Sequence, residues 1–481
     1  MMGTLDADAL HAEHAWRSGD TATAIEAADR VLAAGADPEC RAAAVAAAAE
    51  AADGALLDAA DRWRRIASTL DGVPGVLAAG RGALAAGLSG DLDAAARDLA
   101  TAREVLPAPA PRGLTVLLDG VDAAIEAVRG GFDRAARRLA GLAVATVPAD
   151  PLTCERWDDL AVTVVVASGD DHTARDMLAA YADRPLTTRR RLLSAWLDLR
   201  AGRLADARDG LAAAADAAIL RRDAVLAAAI TIGLARRSGD EAALRATWHR
   251  VAPVVAGADV ELLLLDAWGE LSVGASLVSP IERDIVVEAM HRAIARAGSP
   301  AWCVATETWW RLQRAVVAAD PLAAADAAEM LDALANDAGR LVLRATAARV
   351  WASILSGHLD ARSVTTTAEA LADAAQPWEA AALCAAAARL ADPAAAKDLL
   401  AAGRALRAKL TTDDRTPSGG LSKREIAVGE LLLDGLTQKE IGARLYISPK
   451  TVEQHVARLR QKLVAGNRAQ LIAALRTHLA S

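Results

Sequence analysis

A glycine, often followed by aspartate and then by a small residue five places on, recurs inside amphipathic runs along residues 1–410. It reads Ser18-Gly19-Asp20 with Ala24, Gly54 with Ala59, Ser89-Gly90-Asp91 with Ala95, Gly130 with Ala135, Gly169-Asp170 with Ala174, and Gly202 with Ala207. Weaker copies start at Gly239 and Gly357, and alanine-substituted copies near Ala319 and Ala391. From Gly19 to Gly239 the steps are 35, 36, 40, 39, 33 and 37 residues. Few folds accept such a period. Glycine permits the left-handed turn between two helices, and a small residue in the next helix lets the two backbones approach. A single hairpin cannot bury its apolar stripe, so neighbours must stack.

Alanine, the best helix former, supplies about half of the apolar 53%, and aromatics are only 3% of the 481 residues. The whole chain is therefore expected to be all-α. The interval and the Gly-Asp-x-x-x-Ala cadence resemble tetratricopeptide repeats, which implies an α-solenoid over residues 1–410. The tyrosine and proline positions of that repeat are mostly missing. An irregular helical domain is the alternative. Trp16, Trp63, Trp196, Trp248, Trp268 and Trp351 stand singly on the helices and are expected in the core. The cluster Trp302, Trp309 and Trp310 has two readings, inter-repeat core or the lining of a ligand or peptide groove.

Several function classes lack support. No Gly-x-x-x-x-Gly-Lys-Ser/Thr phosphate loop occurs, and no alternating strand–helix run that would signal a receiver domain. No nucleophile–base constellation stands out, so an enzyme is not expected, nor a cofactor. His11 and His14 are three apart but lack a third ligand. Cys40, Cys154, Cys303 and Cys384 share no metal-type spacing and read as buried apolar residues. Met1–His14 is polar and acidic, and Val260–Leu265 is too short to span a bilayer. A cytoplasmic protein without membrane contact is expected.

Charge is segregated. Residues 421–481 hold ten Lys+Arg against five Asp+Glu, a balance of +5, so residues 1–420 carry −13 of the total −8. A basic tail on an acidic body fits a chain whose tail alone meets nucleic acid. Residues 411–420 (TTDDRTPSGG) read as a linker. Beyond it, Ser422 with Glu425 is a capping box opening a helix that Gly435 ends, with Val428, Leu431 and Leu432 on its buried side. Thr437 with Glu440 opens a second, burying Ile441 and Leu445. Ser448 caps a third, with Pro449 at its first position and Val452, Val456, Leu459 and Leu463 facing inward. Asn467 with Gln470 opens a fourth. A tight turn before the third helix is the geometry that sets a recognition helix in the major groove.

Residues 414–479 resemble the DNA-binding domain of the LuxR/NarL family, with the helix-turn-helix at 438–457. The matching residues include Leu421-Ser422, Arg424-Glu425, Gly435-Leu436-Thr437, Lys439-Glu440-Ile441, Ile447-Ser448-Pro449-Lys450-Thr451-Val452, His455, Lys462-Leu463 and Asn467-Arg468-Ala469-Gln470-Leu471. The resemblance implies base contacts from Glu453, Gln454 and Ala457. Glutamate can accept from cytosine N4, glutamine can bridge adenine N6 and N7, and alanine can pack on a thymine methyl. Phosphate anchoring then falls to Lys439, Ser448, Lys450, Thr451, Arg458 and Lys462. Family members often carry lysine where Glu453 stands, so a weaker electrostatic affinity and a shallower salt slope are expected. Gly429 and Val464 also depart from the family pattern. His455 reads as structural. The fourth helix, with Leu471, Leu475 and Leu479, is implied to pair two monomers on a two-fold site; alternatively those leucines only close the three-helix core.

The expected function is a sequence-specific regulator. Its repeats would sense a protein, peptide or small-molecule effector, and its tail would read double-stranded promoter DNA as a homodimer. The alternative is a repeat-based interaction scaffold with a weak, nonspecific DNA-binding or dimerising tail.

Overall fold

The structure is a computed structural model. It describes residues 2–35, 37–144, 150, 152–184, 187–215, 220–335, 339–413, 423–445, 452–453, 455–456, 459–460, 463, 465 and 468–479. Among these the regular elements are all helical. No described helix is long and apolar enough to cross a membrane. The chain divides into two compact units: Met1–Gly169, Thr187–Leu199 and Leu204–His358 form the first, and Asp170–Leu186, Arg200–Arg203 and Leu359–Ser481 the second.

The glycine–aspartate pair of the repeat does two jobs, as the turn at Gly90 shows. Helix Gly72–Leu88 ends there with Gly90 at φ +93°, and the Asp91 N–H returns to the Ala86 carbonyl at 2.8 Å. This satisfies a carbonyl that the helix end would otherwise leave orphaned. Asp91 then caps the next helix, Leu92–Glu104, its carboxylate accepting from the Ala94 N–H at 3.1 Å. Asp20, Asp170, Asp240, Asp320 and Asp360 cap their helices in the same way. The small residue five places on is fully buried at Ala24, Ala59, Ala95, Ala135, Ala174 and Ala207. Ala319 adopts the left-handed conformation expected of a substituted copy, at φ +52°. Ala391 lies in the turn between helices Pro377–Ala388 and Pro393–Asp413 without a positive φ, and Asp392 caps the second of them, accepting from the Ala394 and Ala395 N–H groups.

Within the first unit, helices joined by these turns pack as pairs, and the first helix of a pair also packs on the first helix of the next. Gly72–Leu88 contacts Arg112–Val128, and Leu265–Ser276 contacts Ala301–Ala318. The row does not run as one open stack. Residues 222–340 fold back over four successive turns of the N-terminal half. At Gly54, Asp259 donates its N–H to the Gly54 carbonyl at 3.0 Å, and its carboxylate accepts from the Leu57 N–H. Over Gly90 lie Leu262, Ala293 and Ala297, with Arg296 donating to the Ser89 carbonyl at 2.8 Å. Gly130 is covered by Trp302, which donates to the Val128 carbonyl at 2.8 Å, and Arg340 reaches the Ala167 carbonyl beside Gly169. Helix C-termini present unpaired carbonyls and partial negative charge, so arginine and indole N–H groups are suited to cover them.

This layer decides the tryptophan question against a groove. Trp309 and Trp310 are buried, with the Trp310 indole donating to Asp266 at 2.8 Å and Arg344 stacked over Trp309. Trp302 packs edge-on against Phe132, 5.0 Å between ring centroids. Trp63, Trp196, Trp248, Trp268 and Trp351 are buried as expected, whereas Trp16 is only half-buried. Cys303 and Cys384 are buried, whereas Cys40 and Cys154 are only half-buried.

Charged clusters run through the interior of the first unit. Arg189 pairs with Asp223 and Glu261, and Arg222 with Glu155 and Glu261, all with nearly inaccessible side chains. Arg236 and Arg237 share Glu270, and Arg340 and Arg344 share Asp266. Glu261, Glu270 and Asp266 each answer two guanidiniums, which is what keeps such charges tolerable in a low-dielectric interior.

Candidate nucleic-acid interface

Helix Lys423–Leu433 ends at Gly435 (φ +84°), where the Leu436 N–H returns to the Leu431 carbonyl at 3.1 Å. Helix Gln438–Leu445 opens on the expected capping box. The Glu440 carboxylate accepts from the Thr437 N–H at 2.8 Å and its hydroxyl at 2.7 Å, while the Glu440 N–H donates to the Thr437 hydroxyl at 3.3 Å. These bonds hold the Glu440 carboxyl below its usual range. The reciprocal pair fixes where the second helix begins.

The domain's core gathers Val428, Leu432, Ile441, Val452, Val456, Leu459, Ala465, Leu471 and Leu475, with Leu431, Leu436, Leu445, Leu463 and Ile472 packed against it. The described residues of the third helix, Val452, Glu453, His455, Val456, Leu459 and Arg460, are helical. With Val452, Val456 and Leu459 turned inward, Glu453 and Arg460 flank that stripe and are exposed, and His455 is half-buried.

Of the expected DNA-contacting residues, Lys439 and Glu453 are exposed on the second and third helices. Ser448, Lys450, Thr451, Gln454, Ala457, Arg458 and Lys462 lie outside the described residues, as do Val464 and the linker beyond Asp413. Helix Pro393–Asp413 continues three residues into the stretch read as that linker. Arg444 and Arg460 are exposed basic groups that the sequence reading passed over, although their outward register was available from the apolar stripes. The fourth helix spans Arg468–Leu479. On it, Leu471 and Leu475 belong to the domain's own core, 1% and 0% exposed, so they close the three-helix core and do not form an open pairing surface. The Leu479 side chain lies outside the described residues. Among the described side chains of this helix, Gln470 and Arg476 are exposed. No group of three or more metal-binding side chains occurs among the described residues, and His11 and His14 are exposed.

The chain matches the family model described as bacterial regulatory proteins, luxR family, over residues 420–475. It is 46% identical over 55 residues to the spore germination protein GerE of Bacillus subtilis, a stretch covering 11% of this chain and 74% of GerE. It is 38% identical over 80 residues to the transcriptional regulatory protein LiaR of the same organism, covering 16% of this chain and 38% of LiaR. It is also 39% identical over 71 residues to the DNA-binding transcriptional activator DevR/DosR of Mycobacterium tuberculosis, covering 14% and 33%. Apart from GerE, these relatives are thus spanned over about a third of their length. No solved structure matches the chain.

Proposed function

The chain belongs to the luxR family of bacterial regulatory proteins, and we propose that it is a sequence-specific transcription regulator whose C-terminal domain reads promoter DNA in response to an effector met by the helical body. One observation carries this reading. The apolar stripe Val452–Val456–Leu459 is spent on the domain core, which leaves Glu453 and Arg460 of the same helix exposed to solvent, and Lys439 of the second helix is exposed as well. A helix held this way by two capped neighbours is suited to lie in a major groove.

Glu453, Gln454 and Ala457 read bases, and Lys439, Ser448, Lys450, Thr451, Arg458 and Lys462 anchor phosphates. Arg444 and Arg460 add to the positive rim. Two monomers pair on a two-fold site through the outer face of Arg468–Leu479, where Gln470 and Arg476 are exposed. The helical body, whose turn-bounded hairpins suit a tetratricopeptide-like architecture, supplies the sensing surface.

The test is a genome-fragment binding selection with the full chain beside a Glu453→Ala, Gln454→Ala variant. The expected result is one enriched, two-fold motif that collapses in the variant, each base contact being worth roughly 1–3 kcal/mol. Salt-sensitive binding with no motif, equal in both proteins, would replace this reading with an interaction scaffold carrying a nonspecific DNA tail.

A further inference from the structure

Three helices of the first unit bring a surplus of positive charge to one place. On Ala301–Ala318, Glu307, Arg311 and Arg314 stand at i, i+4 and i+7, a single stripe. Arg314 is buried; it donates to the Glu307 carboxylate at 2.6 Å and to the Ser272 hydroxyl, on Leu265–Ser276, at 2.7 Å. On Pro280–Arg296, the exposed His291 ring stands 3.4 Å from the same Glu307 oxygen. Glu307 thus already serves two partners.

Arg311 has none. Among the described residues its half-buried side chain makes no hydrogen bond or ion pair, and its Nε is enclosed without an acceptor. Arg283, on the same helix as His291, pairs only with its exposed neighbour Asp284. Both Arg283 and Arg311 lie close enough to Arg314 to help burial pull its pKa down, against the pull of Glu307. Nearly everywhere else in this unit a buried guanidinium has a carboxylate, and the body as a whole carries excess acid, so an unanswered arginine is not for want of partners in the composition. Charges are rarely taken from water unpaired. Planar guanidiniums gathered near one another match an oxyanion that can accept several forked hydrogen bonds at once.

We propose that Arg283, Arg311 and Arg314, with His291 at the rim, bind the dianionic phosphate group of a small molecule. Glu307 and Ser272 position Arg314, and Arg311 waits for the ligand. The site lies on the helical body and is independent of how the C-terminal domain reads DNA.

Isothermal titration of the full chain with inorganic phosphate, at constant ionic strength against chloride, tests this. Saturable binding is expected, weakened about tenfold or more by Arg311→Gln, because a charge-assisted hydrogen bond is lost. Arg292→Gln, which removes an exposed charge from the same helix where it pairs with Glu288, should bind as the parent does. In phosphate-free buffer Arg311→Gln should raise the thermal midpoint, since it removes repulsion and breaks no contact; this also shows the variant folded. Phosphate heat indistinguishable from chloride, or equal binding by the parent and Arg311→Gln, would overturn the proposal. So would a lowered midpoint in phosphate-free buffer, which would make Arg311 a structural group.

Discussion

Replacing Gly90 with alanine should cost the protein far more than the same change at Gly239, although both glycines close a helix with a positive φ, +93° and +75°. At Gly239 a new methyl would meet nothing within 4 Å. The cost there is the left-handed conformation alone, about 1–2 kcal/mol for a residue with a Cβ. At Gly90 the methyl would stand 2.9 Å from Leu262 Cδ1, 3.0 Å from the Ala293 carbonyl oxygen and 3.3 Å from Ala297 Cβ. The leucine methyl can swing away, but the carbonyl belongs to a helix and the alanine has no rotamer to change. Overpacking of this kind adds about 1–3 kcal/mol, for a total of about 2–5 kcal/mol. Urea unfolding of the full chain, followed by far-ultraviolet circular dichroism, should show a midpoint shift for Gly90→Ala at least about twice that of Gly239→Ala. A cycle with Leu262→Ala should recover part of the excess, a coupling on the order of 1 kcal/mol. Equal shifts for the two glycines would refute the second layer over the turns and return the body to an open stack, in which neither turn is covered.

Glu270, enclosed between Arg236 and Arg237, has its carboxyl lowered from 4.5 to about 2: the two guanidiniums overcome the opposing effect of burial. The stabilisation is present above the usual carboxylate range and is lost as pH falls toward 2, ~3 kcal/mol in all. Glu270→Gln should remove the acid-dependent part of the unfolding curve while costing about 3–5 kcal/mol at neutral pH, because two buried guanidiniums lose their anion. In the C-terminal domain, Thr437→Ala should cost about 1 kcal/mol, read as faster hydrogen exchange confined to Gln438–Leu445. Exchange spreading equally into Pro393–Asp413 would contradict a local cap. Lys439→Ala should weaken DNA binding about equally across sequences and make the salt dependence shallower; a changed motif would make Lys439 a base reader instead.

Local chemistry fixed much of this protein before any tertiary contact. A helix start or stop depends on a few neighbouring residues, so Gly90-Asp91, Gly435 and the Thr437–Glu440 box announced their roles in the sequence. The inward faces of the C-terminal helices were equally plain, because Val428, Ile441, Val452, Val456 and Leu459 repeat at helical spacing. The inverse of those stripes placed Lys439 and Glu453 on the surface. What the residues could not tell was what lies across from them. Leu471 and Leu475 form an apolar stripe whether they meet their own domain or a second chain, and only packing assigns them to the core. Trp302, Trp309 and Trp310 are as suited to a groove as to an interior until Gly130, Asp266 and Arg344 are seen against them. The unanswered Arg311 is invisible in a chain with more acids than bases. Partners separated by 174 residues, such as Trp302 and the Val128 carbonyl, carry no local signature. Closing them together is decided by the fit of the whole layer, and the sequence records only the glycine that leaves room for it.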